Sequence, residues 1–150
     1  MAVLVDTCGW LEWLTDGPLA DRFEPYLKGG DDLLVPTCVQ FELYKWVRRE
    51  RNESLALEAI ALTEEATVVP LSTAIALLAA DLALEHRLSF ADALVYATAR
   101  QQAVALVTSD DHFVDQPGVT YLDKRDLEPA DDPDLARSAG PTPGASWPTT

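Results

Sequence analysis

Short apolar runs alternate along this chain with longer segments of helical pattern. Five of the runs predict buried strands, at residues 2–5, 33–35, 67–69, 104–107 and 119–122. Helices are predicted at residues 11–14, 19–27, from 36–37 onward, at 55–62, from 72–73 to about 87, and from 90 to about 102. Strands that alternate with helices need crossover connections. The sequence therefore predicts an α/β fold, with a mostly parallel sheet of four to five strands covered by helices.

Length and composition predict one folded domain followed by a tail. The chain has 150 residues and is 48% hydrophobic, which is enough for one domain with a substantial core, predicted over residues 1–127. Residues 128–150 are rich in Pro, Gly, Ser, Thr and Asp and predict a flexible tail, in which Trp147 has no explanation beyond contact with a partner. Apolar runs long enough for a membrane span are absent, and so is a signal-peptide pattern. We therefore expect a cytoplasmic protein without a membrane association.

The net charge of −14 argues against tight, non-specific binding of nucleic acid. However, four basic residues fall within positions 45–51, and of these Lys45 and Arg49 share a helix face with Glu42. These two cations can hold the phosphates of a flexible substrate. An ordinary solvated face, with ion pairs to residues such as Glu50, explains the same pattern equally well.

Four acids stand at positions that are difficult to explain by packing. Asp6 closes the first apolar run, Asp110 follows the fourth, Glu42 lies early in one predicted helix and Asp92 just inside another. Carboxyl ends of parallel strands meet at one edge of a sheet, where sites form. A charge at the end of a buried strand needs a cation or several donors.

Each of these acids also has a structural explanation. Asp6 can cap the following helix, Asp92 can complete a capping box with Ser89, and Glu42 can be solvated. Asp110 can be an Asx-turn residue. Asp111 and Asp115 compete with Asp110 as ligands; these alternatives stay open at the level of the sequence.

If the four acids converge, they predict a site for a divalent cation. Two carboxylates about 4 Å apart repel by roughly 4 kcal/mol at an effective dielectric constant near 20. Oxygen ligands suit Mg²⁺ or Mn²⁺, and such ions most often act on phosphates. The Thr108 hydroxyl and the Asp110 carboxylate can share a metal-bound water, and Asp110 or Glu42 can position the attacking water. The cluster therefore predicts metal-dependent phosphodiester hydrolysis.

The remaining reactive residues carry weaker signals. Cys8 and Cys38 lack paired spacing and are expected to be reduced, buried thiols. His86 and His112 have no spacing that indicates a ligand set or a nucleophile, so we expect neither to be catalytic. Glycine-rich phosphate-binding motifs are absent, which argues against ATP and dinucleotide cofactors.

Four blocks follow one another in a specific order and spacing: residues 3–8, the helix with Glu42, residues 86–94 with 97–99, and residues 106–113. Together, over about residues 2–125, they resemble a PIN domain, and within that family the VapC-type toxins of toxin–antitoxin pairs. The resemblance implies a three-layer PIN-like fold. It also implies a ribonuclease specific for single strands that uses Mg²⁺ or Mn²⁺.

The resemblance extends to individual residues. Asp6, Glu42, Asp92 and Asp110 match the acidic quartet of the family as metal ligands and catalytic residues, and Thr108 matches its hydroxyl beside the fourth acid. It implies an RNA substrate, often tRNA or rRNA, a VapB-like antitoxin that lays its C-terminal segment into the acidic groove, and a homodimer. Cys8 departs from the Ser or Asn that is usual at its position.

Three further functions compete with an endoribonuclease toxin. One is a housekeeping RNA-processing nuclease with the same chemistry, and another is a PIN-like module that binds RNA or protein without hydrolysis. The complete quartet argues against the binding module. A receiver-like phosphoacceptor domain would need a lysine near the acids, and Lys124 is the only candidate.

Overall fold

All five predicted strands form and pair in parallel. The structure, a computed structural model, describes residues 1–29 and 32–127. Within these residues the strands are β1 (Val3–Val5), β2 (Leu33–Pro36), β3 (Thr67–Val69), β4 (Ala105–Thr108) and β5 (Val119–Tyr121). They form one sheet in the order β3-β2-β1-β4-β5, and every pairing is parallel. This confirms the predicted α/β fold with a parallel sheet flanked by helices.

The helices also lie where the sequence predicts them. Among the described residues they are α1 (Thr7–Leu14), α2 (Ala20–Leu27), α3 (Thr37–Glu50), α4 (Glu53–Glu64), α5 (Thr73–His86) and α6 (Phe90–Gln101), with short 3-10 turns at Asp111–Phe113 and Lys124–Leu127. Side-chain caps begin four of the helices. Asp6, Asn52, Ser72 and Ser89 each accept a hydrogen bond from a backbone N–H of the helix that follows.

The strand order reverses between β1 and β4. The chain first builds outward from β1 through β2 to β3, and then crosses to the other side of β1 to add β4 and β5. In open parallel sheets such a reversal leaves a crevice at the carboxyl ends of the two strands on either side of it. The residues that follow Val5 and Thr108 therefore occupy the position where this fold favours a ligand.

Close packing fixes the start of α1 against the sheet. A Cβ atom on Gly9 would lie 2.5 Å from Val5 Cγ1 and 2.6 Å from Cδ1 of the Phe23 ring. Only glycine fits this approach without displacing core atoms, since Phe23 is fully buried. The residue before α1, Asp6, is thereby held at the end of β1.

The predicted tail at 128–150, including Trp147, lies outside the described residues. Within the part of the chain that the structure describes, no helix combines the length and the apolar character that a membrane span requires.

Candidate active site

Asp6 is a buried carboxylate at the end of β1. Its Oδ1 accepts a 2.8 Å hydrogen bond from the Thr7 backbone N–H, and its Oδ2 accepts one of 2.9 Å from the Thr108 hydroxyl. Only 5% of the residue is exposed. The pKa of Asp6 is raised to about 7: burial is the largest cause, the charges of Asp92 and Glu42 act in the same direction, and the two hydrogen bonds oppose the increase. Asp6 is thus both a helix cap and one of a group of interacting acids.

Thr108 connects Asp6 to Asp110. Its hydroxyl oxygen accepts a 3.0 Å hydrogen bond from the Asp110 backbone N–H while donating its own proton to Asp6. Asp110 then turns the chain: its Oδ1 accepts a 2.9 Å hydrogen bond from the His112 backbone N–H, which is the predicted Asx turn. The end of β4 therefore carries a hydroxyl and a carboxylate beside Asp6.

Glu42 reaches the site from α3. Its Oε1 accepts a 2.8 Å hydrogen bond from the Thr7 hydroxyl, so the first residue of α1 holds a side chain of α3. Glu42 is half-buried, and its charge contributes to the raised pKa of Asp6. This contact excludes the fully solvated position that glutamate usually takes.

Asp92 lies in the first turn of α6. Its backbone N–H donates a 3.3 Å hydrogen bond to Ser89 Oγ, the cap of the helix. Its carboxylate lies 3.3 Å from His112 Nδ1, and a side-chain hydrogen bond with Ser89 also acts on it. Burial raises the pKa of Asp92, and the charge of Asp110 adds to the increase.

His112, for which the sequence shows no spacing that indicates a ligand set, lies beside two of the acids. Its Nδ1 lies 3.2 Å from Asp110 Oδ1 and 3.3 Å from Asp92 Oδ2. The charge of Asp110 is the largest cause of a raised His112 pKa. The Asx turn at Asp110 places the His112 ring near the acids at the sheet edge. The sequence does contain a local pattern for this turn, because an acid stands two residues before the histidine at the end of a strand. His86, in contrast, packs edge-on against Tyr96, with ring centroids 6.1 Å apart.

The donor atoms at this edge fit a divalent cation. Among the described residues, Asp92, Asp110 and His112 each offer a ligand atom within 4.8 Å of the other two. Asp6 faces the charge of Asp92, and burial and neighbouring acids leave it with a pKa of about 7, so a cation would stabilise its ionised form. Carboxylate oxygens are ligands for hard divalent cations, and an imidazole nitrogen is a ligand for transition metals. Asp6 and Glu42 are not members of this group, and neither are Asp111 and Asp115, which are exposed.

A family model described as PIN domain matches residues 3–118. The chain belongs to the PIN domain family. The matched range contains all four acids of the predicted quartet together with Thr108.

Solved structures share the fold of this PIN domain at low sequence identity. A toxin–antitoxin complex from Klebsiella pneumoniae aligns with a TM-score of 0.66 and 21% identity, over 79% of this chain and 96% of that chain. VapBC2 from Rickettsia felis, bound to a DNA fragment from its promoter, aligns with a TM-score of 0.66 and 15% identity, over 82% and 100%. VapC20 from Mycobacterium tuberculosis, a toxin that cleaves the sarcin-ricin loop, aligns with a TM-score of 0.61 and 18% identity, over 81% and 90%. A search of the curated proteins found no match.

Cys8 is a neutral thiol beside the acids of the PIN domain. Its Sγ lies 3.4 Å from both Thr108 Oγ1 and Ser109 Oγ. Burial raises the pKa of Cys8 to about 11, and the charge of Asp6 raises it as well. A thiolate ligand is therefore disfavoured at neutral pH, and neither Cys8 nor Cys38 is in a disulfide.

A groove of about 420 Å³ opens beside Glu42, between α1, α3 and α6. The predicted face of α3 lines it, with Lys45 and Arg49 at one side. Arg49 Nε also lies 2.9 Å from Glu50 Oε1, so the ion pair expected for a solvated face is present too. Because both groups are exposed, this pair contributes little stability and leaves the guanidinium accessible.

Proposed function

We propose that this PIN domain is a metal-dependent endoribonuclease that hydrolyses phosphodiester bonds of RNA. One observation carries the proposal. A buried carboxylate, Asp6, stands at the strand-order reversal, and the charges of Asp92 and Glu42 raise its pKa. Keeping a buried carboxylate ionised beside other carboxylates costs free energy unless a cation balances the charges. Membership of the PIN family over residues 3–118 supports the same chemistry.

Asp6, Asp92 and Asp110 would hold the ion, with Glu42 as the fourth acid of the site. A bound Mg²⁺ or Mn²⁺ supplies an activated water and neutralises charge on the phosphate that is cleaved. Thr108 keeps Asp6 and the Asp110 backbone in register through its two hydrogen bonds. The Thr7 hydroxyl orients Glu42, so that Glu42 or Asp110 can position the attacking water.

The phosphates of the substrate would lie along α3. Lys45 and Arg49 line the groove that begins at Glu42, and they place two cations there although the chain as a whole has a net charge of −14. We assign them to binding rather than to the bond-breaking step.

We also propose that the protein is the toxin of a type II toxin–antitoxin pair, with a VapB-like antitoxin as its partner and a homodimer as its assembly. The fold it shares with the toxin–antitoxin complexes from Klebsiella pneumoniae and Rickettsia felis supports this role. A housekeeping nuclease would share the chemistry but would not need such a partner.

Cleavage of end-labelled RNA, with and without metal, tests the nuclease proposal. We expect cleavage in Mn²⁺ or Mg²⁺, none in excess EDTA, and a loss of at least about a hundred-fold in kcat for Asp6→Asn and Asp92→Asn. Asp81→Asn is the matched control, because it removes one exposed acid of α5 outside the cluster. Undiminished cleavage in EDTA would end the proposal, and metal-independent binding without turnover would favour a binding module.

Induced expression in a bacterial host tests the toxin role. We expect growth arrest by the wild type and normal growth with Asp6→Asn. Co-expression of its VapB-like partner, sought among the proteins encoded next to this chain, should restore growth. A host that grows normally while its RNA is cleaved would favour a housekeeping nuclease instead.

A further inference from the structure

We propose that the groove beside Glu42 seats an unpaired base of the RNA strand, next to the phosphate that is cleaved. The inference rests on the proposed ribonuclease function and adds a specificity site to it. The groove shares Thr7 and Glu42 with the acidic edge, so a nucleotide in it is a direct neighbour of the reacting phosphate.

Two phenylalanine side chains at this groove are exposed and do not belong to the hydrophobic core. Phe41 is 57% exposed and Phe90 is 81% exposed, and both line the groove. Each stands close in sequence to an acid of the site, since Phe41 precedes Glu42 and Phe90 lies two residues before Asp92. Exposed aromatic faces beside a nuclease centre are suited to stack on nucleobases.

Other residues that line the groove suit a flat, partly apolar group. Leu11, Trp46 and Leu94 add apolar surface to that of the two rings. At the side, Lys45 Nζ lies over the Phe41 ring, 5.7 Å from its centroid. A base against the ring would thus place its own phosphate within reach of a cation, with Arg49 one turn further along α3.

Charge favours RNA over a protein as the occupant. The chain carries 25 acids against 11 basic residues, yet two of the three charged residues that line this groove, Lys45 and Arg49, are cations. A polyanion with aromatic bases matches apolar rings flanked by cations. Bases in a duplex are stacked and cannot enter the groove, so the seat selects unpaired nucleotides.

Binding of two probes separates the base from the backbone. In the Asp6→Asn background with Mg²⁺, fluorescence anisotropy would compare a labelled oligouridine with a ribose-phosphate oligomer of the same length that lacks bases. We expect the combined Phe41→Ala and Phe90→Ala change to weaken binding of oligouridine about ten-fold and to leave the base-free oligomer unaffected. The combined Lys45→Gln and Arg49→Gln change should weaken both probes.

Two matched variants control for general effects. Leu84→Ala removes another exposed apolar side chain, 84% exposed on α5. Lys28→Gln removes an exposed cation at the end of α2, which is not among the residues that line the groove. Neither should change the affinity for either probe.

The outcomes separate this inference from the nuclease proposal. If the phenylalanine variant binds both probes with the affinity of the Asp6→Asn protein, the groove does not seat a base. That result would favour a protein partner as the occupant of the groove, and it would hold whether or not the wild type cleaves RNA. If the wild type cleaves no RNA but the phenylalanine variants lose the base-dependent binding, the seat stands and the nuclease proposal fails.

Discussion

The Thr108 hydroxyl donates a 2.9 Å hydrogen bond to Asp6 Oδ2 across 102 positions of sequence. The two residues end neighbouring strands, β4 and β1, at the point where the strand order of the sheet reverses. The same hydroxyl accepts a hydrogen bond from the Asp110 backbone N–H. One side chain therefore sets the relative position of two acids that the sequence places far apart.

Thr108→Val should destabilise the protein and disorder the site. Valine keeps the shape of the side chain and suits a strand, but it leaves Asp6 Oδ2 and the Asp110 N–H without this partner. We expect a loss of about 1 to 3 kcal/mol in the free energy of unfolding, measured with urea, and weaker binding of Mn²⁺ by calorimetry. Thr108→Ser retains the hydroxyl and should retain most of the affinity for Mn²⁺. Equal affinities of the valine and serine variants would show that the hydrogen bonds do not position the acids.

Asp6→Asn should remove part of the pH dependence of stability in the metal-free protein. The pKa of Asp6 rises from 3.8 to about 7 on folding. Between those values the folded chain keeps a proton that the unfolded chain has released, so stability falls as pH rises through this window and is level above it. Asparagine has no charge to desolvate. The variant should therefore gain stability relative to the wild type on going from pH 4 to pH 8, by at most roughly 4 kcal/mol.

Urea unfolding in EDTA at several pH values measures this effect. Asp81→Asn, an exposed acid, should follow the pH profile of the wild type. The difference between Asp6→Asn and wild type isolates Asp6 from Asp92 and His112, whose pKa values are also raised. A difference that is constant between pH 4 and pH 8 would contradict the burial of an ionisable Asp6.

Gly9→Ala should be destabilising although alanine is the better helix former. The added Cβ would lie 2.5 Å from Val5 Cγ1 and 2.6 Å from the Phe23 ring. Overpacking of this kind costs about 1 to 3 kcal/mol, which exceeds the gain of roughly 1 kcal/mol in helix propensity. A double-variant cycle with Phe23→Leu, which removes ring atoms, should show a combined loss smaller than the sum of the two. Additive losses would mean that α1 adjusts without strain.

Much of the fold could be predicted because its signals are local. The apolar run at 2–5, the Pro36-Thr37 start of α3 and the Ser89 cap of α6 each predict an element from a few neighbouring residues. The strand order depends on packing between distant segments. No local pattern states that β4 pairs with β1 on the side away from β2.

The site was predictable to a similar extent. Asp6 and Asp110 follow strands, so their position at the sheet edge comes directly from the alternation of elements. The contact of Thr7 with Glu42 depends on how α1 meets α3, and sequence spacing does not contain it. His112 was missed because its ring reaches the acids through the Asx turn at Asp110 rather than through a helical or strand spacing.

Metal addition should stabilise the folded protein in proportion to its affinity. A cation that binds only the folded chain adds about 2.7 kcal/mol at a concentration of 100 times Kd. We expect the melting temperature of the wild type to rise with Mn²⁺ concentration and to fall back when EDTA is added. Asp92→Asn changes one of three side chains that offer ligand atoms within 4.8 Å of one another. The melting temperature of this variant should therefore rise only at much higher Mn²⁺ concentrations. Asp81→Asn should respond as the wild type does. An equal Mn²⁺ response in all three proteins would place the ion elsewhere on this acidic chain, because binding at the sheet edge requires Asp92.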